Sequence, residues 1–103
     1  HLAKDYTGID MTRDEALRIA GILINGSRAQ QYGDAVASME RIAALFGAYL
    51  GIELKAKDAA AMLALLKISR ISSSEKADNW IDLIGYGAIG AETENVEWEQ
   101  DLD

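Results

Sequence analysis

Lys67, Arg70, Asp78 and Asp82 are the residues whose types and spacing suit chemistry. Lys67 and Arg70 lie three apart and Asp78 and Asp82 four apart, separations that place side chains on one face of a helix. Between the two pairs lies Ser72-Ser73-Ser74, a natural turn. Folding the chain back near Ser74 sets Arg70 and Asp78 each four residues from the turn, with Lys67 seven before it and Asp82 eight after. Each helix climbs ~1.5 Å per residue, so an antiparallel hairpin brings two cations and two carboxylates to matching heights. Carboxylates suit a hard, oxygen-bound cation such as Mg²⁺. Arg and Lys suit phosphate, Arg through a planar fork that donates two hydrogen bonds at once. The plainer alternative is a seam of inter-helix ion pairs, which at an exposed surface contributes only ~0–1 kcal/mol.

Arg28, Tyr32, Gly33 and Asp34 form a second cluster. Arg28 and Tyr32, four apart, can present a cation and an aromatic face to a base or phosphate. The same residues also read as helix-end chemistry, with Asp34 capping the next helix. Trp80 and Tyr86 can stack a base, although aromatics at helical spacing more commonly face a core.

The elements that must position these groups are helical. Thr12-Arg13-Asp14-Glu15 fits a capping box, with Thr12 as N-cap and Glu15 reaching back. Ala16, Ile19, Ala20, Leu23 and Ile24 then recur at helical spacing, predicting a first helix over Arg13–Asn25 that ends on Asn25-Gly26 in the left-handed conformation. Asp34 opens a second helix over Ala35–Leu50, striped by Met39, Ile42, Ala43, Phe46 and Tyr49, and Gly51 ends it. A third, over Ala56–Ile71, is apolar most of the way round, which predicts a central position. Ser74 is the expected cap of a fourth helix, about Glu75–Ala91. That helix carries Gly85, Gly87 and Gly90, each costing ~0.5–1 kcal/mol relative to Ala, which predicts close approach by a neighbour, whether a packed helix, a second copy or a ligand. Residues 1–11 read as an irregular arm, 12–91 as the four-helix domain and 92–103 as an acidic tail, either unstructured or docked through Trp98.

Composition narrows the chemistry further. The 103 residues contain no cysteine and one histidine, His1, so thiolate chemistry, disulfides and His-based catalysis are excluded. Glu92, Glu94, Glu97, Glu99, Asp101 and Asp103 carry most of the net charge of −7, leaving −1 on residues 1–91. No basic stripe marks a nucleic-acid binder. No apolar run approaches the ~18 residues of a membrane span, and no signal peptide is visible, so the expected location is the cytoplasm.

The blocks RAQQYGD, SMERIAALFGAYLGIEL, LLKISRI and DNWIDLIGYGAIGAE resemble, in order and spacing over about Glu15 to Glu92, a family of small proteins common in phages and prophages. That family is in turn distantly similar to the MazG-like all-α nucleoside triphosphate pyrophosphohydrolases. This resemblance implies an oligomeric, Mg²⁺-dependent four-helix bundle, working in the host cytoplasm if phage-encoded. Glu75-Lys76-Ala77-Asp78 matches the E-x-x-D metal motif of those enzymes, with Asp82 one turn on. Their Glu-rich motif on the partner helix has no counterpart, since Lys67 and Arg70 stand there.

The leading expectation is therefore attack of water on the α–β phosphoanhydride of a nucleoside triphosphate. Asp78 and Asp82 hold Mg²⁺, Glu40 or Glu75 serves as base, and Lys67 and Arg70 stabilise phosphate. Arg28, Tyr32, Asp34, Asn79 and Tyr86 complete the expected nucleotide contacts. Two other classes fit the same residues: a protein that binds and sequesters a nucleotide, such as a signalling nucleotide of host defence, and an interaction module whose charges form seams.

Overall fold

The computed structural model describes residues 10–26, 34–73 and 75–100. Among them every regular element is helical: α1 (Arg13–Asn25), α2 (Ala35–Leu50), α3 (Ala56–Ile71) and α4 (Asp78–Glu94). The first three have the bounds their sequence signals predict, and the all-α, four-helix expectation holds. The fourth begins and ends three residues later than predicted.

Local chemistry explains most of these ends. Thr12 Oγ1 accepts from the Glu15 amide at 3.1 Å, so the forward half of the predicted capping box is present. The Glu15 carboxylate is instead turned along the helix, accepting from Arg18 Nη2 at 2.8 Å. That hydrogen bond, with the guanidinium charge behind it, holds the Glu15 carboxyl below its usual pKa. Its small contribution is present at neutral pH and lost as pH falls through the lowered value. Asp34 accepts from the amides of Val36 and Ala37, both at 3.3 Å, as an N-cap does. Asp58 closes the start of α3 by accepting from the Lys55 amide at 2.8 Å. Gly51 is left-handed, with φ 75°.

Two termini differ from expectation. Gly26 ends α1 at φ −101° and ψ −120°, outside the left-handed region. A Cβ there would lie 2.5 Å from the Ile22 carbonyl oxygen, so close approach accounts for the glycine. At the other end of the chain, Ala77 precedes α4 without a side-chain cap, and left-handed Asn95 ends it. Glu75 therefore stands outside the helix, and Ser74, its expected cap, lies outside the described residues.

The last two helices form the predicted antiparallel hairpin. Lys57 meets Glu94 at 3.6 Å, Gly90 lies over Ala60, and Lys67 meets Asp82 at 2.9 Å. Each step forward on α3 is matched by a step back on α4. The other helices converge on α4: α2 packs on both α3 and α4, whereas α1 packs chiefly on α4. The central helix is thus α4 and not α3, whose Leu65, Leu66 and Ile68 are exposed.

Small residues fill the closest contacts. Ala59 and Ala60 of α3 and Met39 and Ala43 of α2 make the main buried cluster, bordered by Leu54, Leu63 and Ile89. Ala20 and Ile81 are buried where α1 meets α4. Of the three α4 glycines, Gly85 is the tightest, since a Cβ would lie 3.1 Å from Ile24 Cγ2. Gly90 has ordinary contact distance to Ala60, and Gly87 faces open space. Close helix packing therefore accounts for Gly85 but not for Gly87.

After Asn95 the chain leaves the bundle. Val96 and Trp98 are 75% and 86% exposed, so of the two states expected for this tail, docking through Trp98 is not the one adopted. No helix among the described residues is long and apolar enough to cross a membrane.

Candidate functional site

The fold-back places Lys67 on α3 opposite Asp82 on α4, as their matched heights require. Their 2.9 Å ion pair is well sheltered, with side chains only 15% and 16% exposed. Charges this far from water are worth more to each other, and cost more to separate, than a surface pair.

Around this pair lies an open recess at the turn end of the hairpin. Lys67, Arg70 and Lys76 line it together with Asp78, Asn79 and Asp82, and Ser73 stands at its edge. Its described lining holds three cations against two carboxylates, a net charge of +1. Asn79 is nine-tenths buried yet borders the recess. Arg70 and Asp78 are both exposed on its wall, but no Arg70–Asp78 ion pair stands beside the Lys67–Asp82 pair among those described. The late start of α4 explains this. Asp78 sits at the first residue of the helix, and the antiparallel register sets Arg70 level with Trp80.

A second cavity, of about 470 Å³, lies between α1, α2 and α4. Leu23 and Ile24 of α1, Met39 and Ile42 of α2, and Ile81 and Ile89 of α4 give it apolar walls. Its described polar groups are Ser38, Tyr86 and Asp82. Asp82 thus borders both cavities. The groove escaped the sequence reading because it is the gap between α1 and α2, which both pack on α4 and scarcely on each other.

The remaining predicted site residues are dispersed. Tyr86 lines the apolar groove and not the charged recess. Asp34 serves as the α2 cap. Glu40 and Glu75 are exposed and line neither cavity. Arg28 and Tyr32 lie outside the described residues. Among the described residues no three acidic or histidine side chains gather as a metal site. The E-x-x-D spacing also lacks its helical register, because Glu75 precedes α4.

Residues 15–94 match a family described as a domain of unknown function, DUF6378. Over 75 residues the chain is 45% identical to the Gene 55 protein of Mycobacterium phage L5, a match covering 71% of this chain and 48% of that protein. Over 74 residues it is 34% identical to the Gene 55 protein of Mycobacterium phage D29, covering 71% of this chain and 49% of the relative. It therefore spans about half the length of these curated relatives. No solved structure matches it. The matched span runs from the first turn of α1 to the last residue of α4 and so takes in all four helices and the recess. On this evidence the chain belongs to the DUF6378 family of phage proteins.

Proposed function

We propose that the recess at the turn end of the α3–α4 hairpin binds the phosphate groups of a nucleotide, and that the protein holds this ligand without needing to hydrolyse it. The observation that carries the reading is that Lys67 and Arg70 border one recess, with a carboxylate already resting on Lys67 and cations outnumbering carboxylates among its described lining residues. A phosphate is a stronger, multivalent version of that carboxylate. It would take Lys67 and Arg70 together, with Lys76 at the rim. The distant resemblance to MazG-like enzymes supplies the nucleotide as the ligand class.

Hydrolysis is the second reading, favoured by Asp78 and Asp82 bordering the same recess as the cations. Two carboxylates, one of them committed to Lys67, do not make a dedicated magnesium site. They suffice only to complete the coordination of Mg²⁺ carried in on substrate phosphates. No described carboxylate beyond this pair lines the recess to act as base, so no hydrolytic step is derived.

Asp82→Asn and Arg70→Ala separate the readings. In EDTA, Arg70→Ala is expected to weaken nucleotide binding by ~1.5–3 kcal/mol, the worth of a charged hydrogen bond. Asp82→Asn is expected to preserve or strengthen it by releasing Lys67 to phosphate. Calorimetric titration of both variants with and without Mg²⁺, with chromatography of the recovered ligand, checks this. Loss of binding in Asp82→Asn, or turnover that vanishes in it, points to the metal-dependent catalyst. If millimolar nucleotide fails to bind under either condition, the ion-pair seam alone stands.

A MazG-like, self-associating bundle belongs to the same proposal. Leu45, Tyr49, Leu65 and Ile68 are exposed, while alanines make up most of the buried apolar side chains among the described residues, so one copy leaves much of its apolar surface wet. Light scattering at high micromolar concentration is expected to give a dimer or larger species. A monomer there would refute the assembly.

A further inference from the structure

We infer that the apolar groove and the charged recess are two halves of one binding site, shaped for a phosphate ester that carries a flat, largely apolar ring. The inference rests on the recess being a phosphate site, and adds where the rest of the ligand goes. Continuity is the first support, since Asp82 borders both cavities. Capacity is the second. At about 470 Å³ the groove falls within the range of small-molecule pockets and has their usual make-up, apolar walls with a few polar groups that fix orientation.

Charge supplies the direction. Lys67, Arg70 and Lys76 all stand at the recess, and no Lys or Arg is among the described residues lining the groove. An anionic group is therefore drawn to one end and an uncharged ring is left for the other. The separation also fits. Lys67 Nζ is fixed against Asp82, and Gly85 and Tyr86 of the groove lie three and four residues further along α4, some ~5 Å up the axis. That is about the reach of a sugar between base and phosphate. A nucleoside phosphate thus lies along α4, its phosphate at Lys67 and Arg70 and its base against Tyr86, with Ser38 and Asp82 placed to meet the polar edge of sugar or base. A bare phosphate compound fills only the recess.

Calorimetric titrations in EDTA test this with pyrophosphate, ribose 5-phosphate, ADP and GDP on the wild-type protein and on Ala35→Phe. Ala35 lines the groove at the start of α2 and is absent from the described recess lining, so a phenyl group there occupies the space assigned to the base. At least one nucleoside diphosphate is expected to bind the wild type ~10-fold or more tighter than pyrophosphate, the usual worth of burying or stacking a base. Ala35→Phe, its helicity verified by circular dichroism, is expected to bring that ratio close to one. Pyrophosphate that binds as tightly as ADP and GDP overturns this inference and leaves the recess reading intact. So does a base advantage that survives in folded Ala35→Phe. Pyrophosphate that fails to bind at all overturns the recess reading, and this inference with it. Should Ala35→Phe not fold, the wild-type comparison decides alone.

Discussion

Replacing Lys67 with Met is expected to destabilise the fold by about 2–4 kcal/mol, read from denaturant unfolding, because it leaves the Asp82 carboxylate sheltered without its ammonium partner. An exposed pair would lose no more than ~1 kcal/mol, so the measurement tests whether this pair behaves as a buried one. The double variant Lys67→Met/Asp82→Leu is expected to recover most of the loss, since replacing both members of a buried pair with apolar residues is often neutral. A Lys67→Met variant as stable as wild type would show that Asp82 does not depend on Lys67 for compensation, and would weaken the case for a defined phosphate position.

Gly47→Ala should cost about 2 kcal/mol or more, although Ala is the better helix former by ~1 kcal/mol. A Cβ on Gly47 would lie 2.6 Å from the Ile52 carbonyl oxygen and 3.5 Å from the Leu54 nitrogen. Both are backbone atoms of the connector that folds back over the end of α2. The Gly47 carbonyl also accepts from the amides of Gly51 and Ile52, at 2.8 and 3.0 Å, so the connector cannot withdraw without breaking the closure of the helix. Overpacking against backbone outweighs the gain in propensity. Gly87→Ala is the control. It faces open space in the same helix class, and is expected to stabilise by up to ~1 kcal/mol. Thermal unfolding of the two variants side by side checks both signs.

These two positions mark how far the sequence could be read. The Lys67–Asp82 pair was legible because it follows from two helical spacings and one turn, all local. The start of α1 and both ends of α2 were legible for the same reason: Thr12, Asp34 and Gly51 act on residues within one helical turn. Gly47 was not, because its constraint is a carbonyl that arrives only after the chain reverses at Gly51. The start of α4 was misplaced because Ser74 and Glu75 look like a cap and first turn, whereas the helix begins after Ala77 with no side-chain cap to announce it. That shift undid the E-x-x-D reading and left Arg70 and Asp78 on one recess wall without the ion pair that matched heights implied. The apolar groove was invisible for a further reason. Periodicity reports which face of a helix is apolar, and says nothing of a gap between two helices that share a third as neighbour.

The convergence of α1 on α4 has a consequence for the order of events during synthesis. Of the four helices α1 is made first, yet the one it chiefly packs on is the last to follow. Its exposed Leu23 and Ile24 must wait, unpaired, while the α2 and α3 segments are made. The α3–α4 hairpin closes through near neighbours in sequence, but docking α1 closes a loop over most of the domain, the kind of contact that sets the pace of folding. A nascent chain halted before Gly85 would carry α2 and α3 with the apolar stripe of α1 still exposed, a natural substrate for chaperones and proteases. Docking of α1 thus waits on α4, and a lesion in α4 also leaves α1 without its chief packing partner.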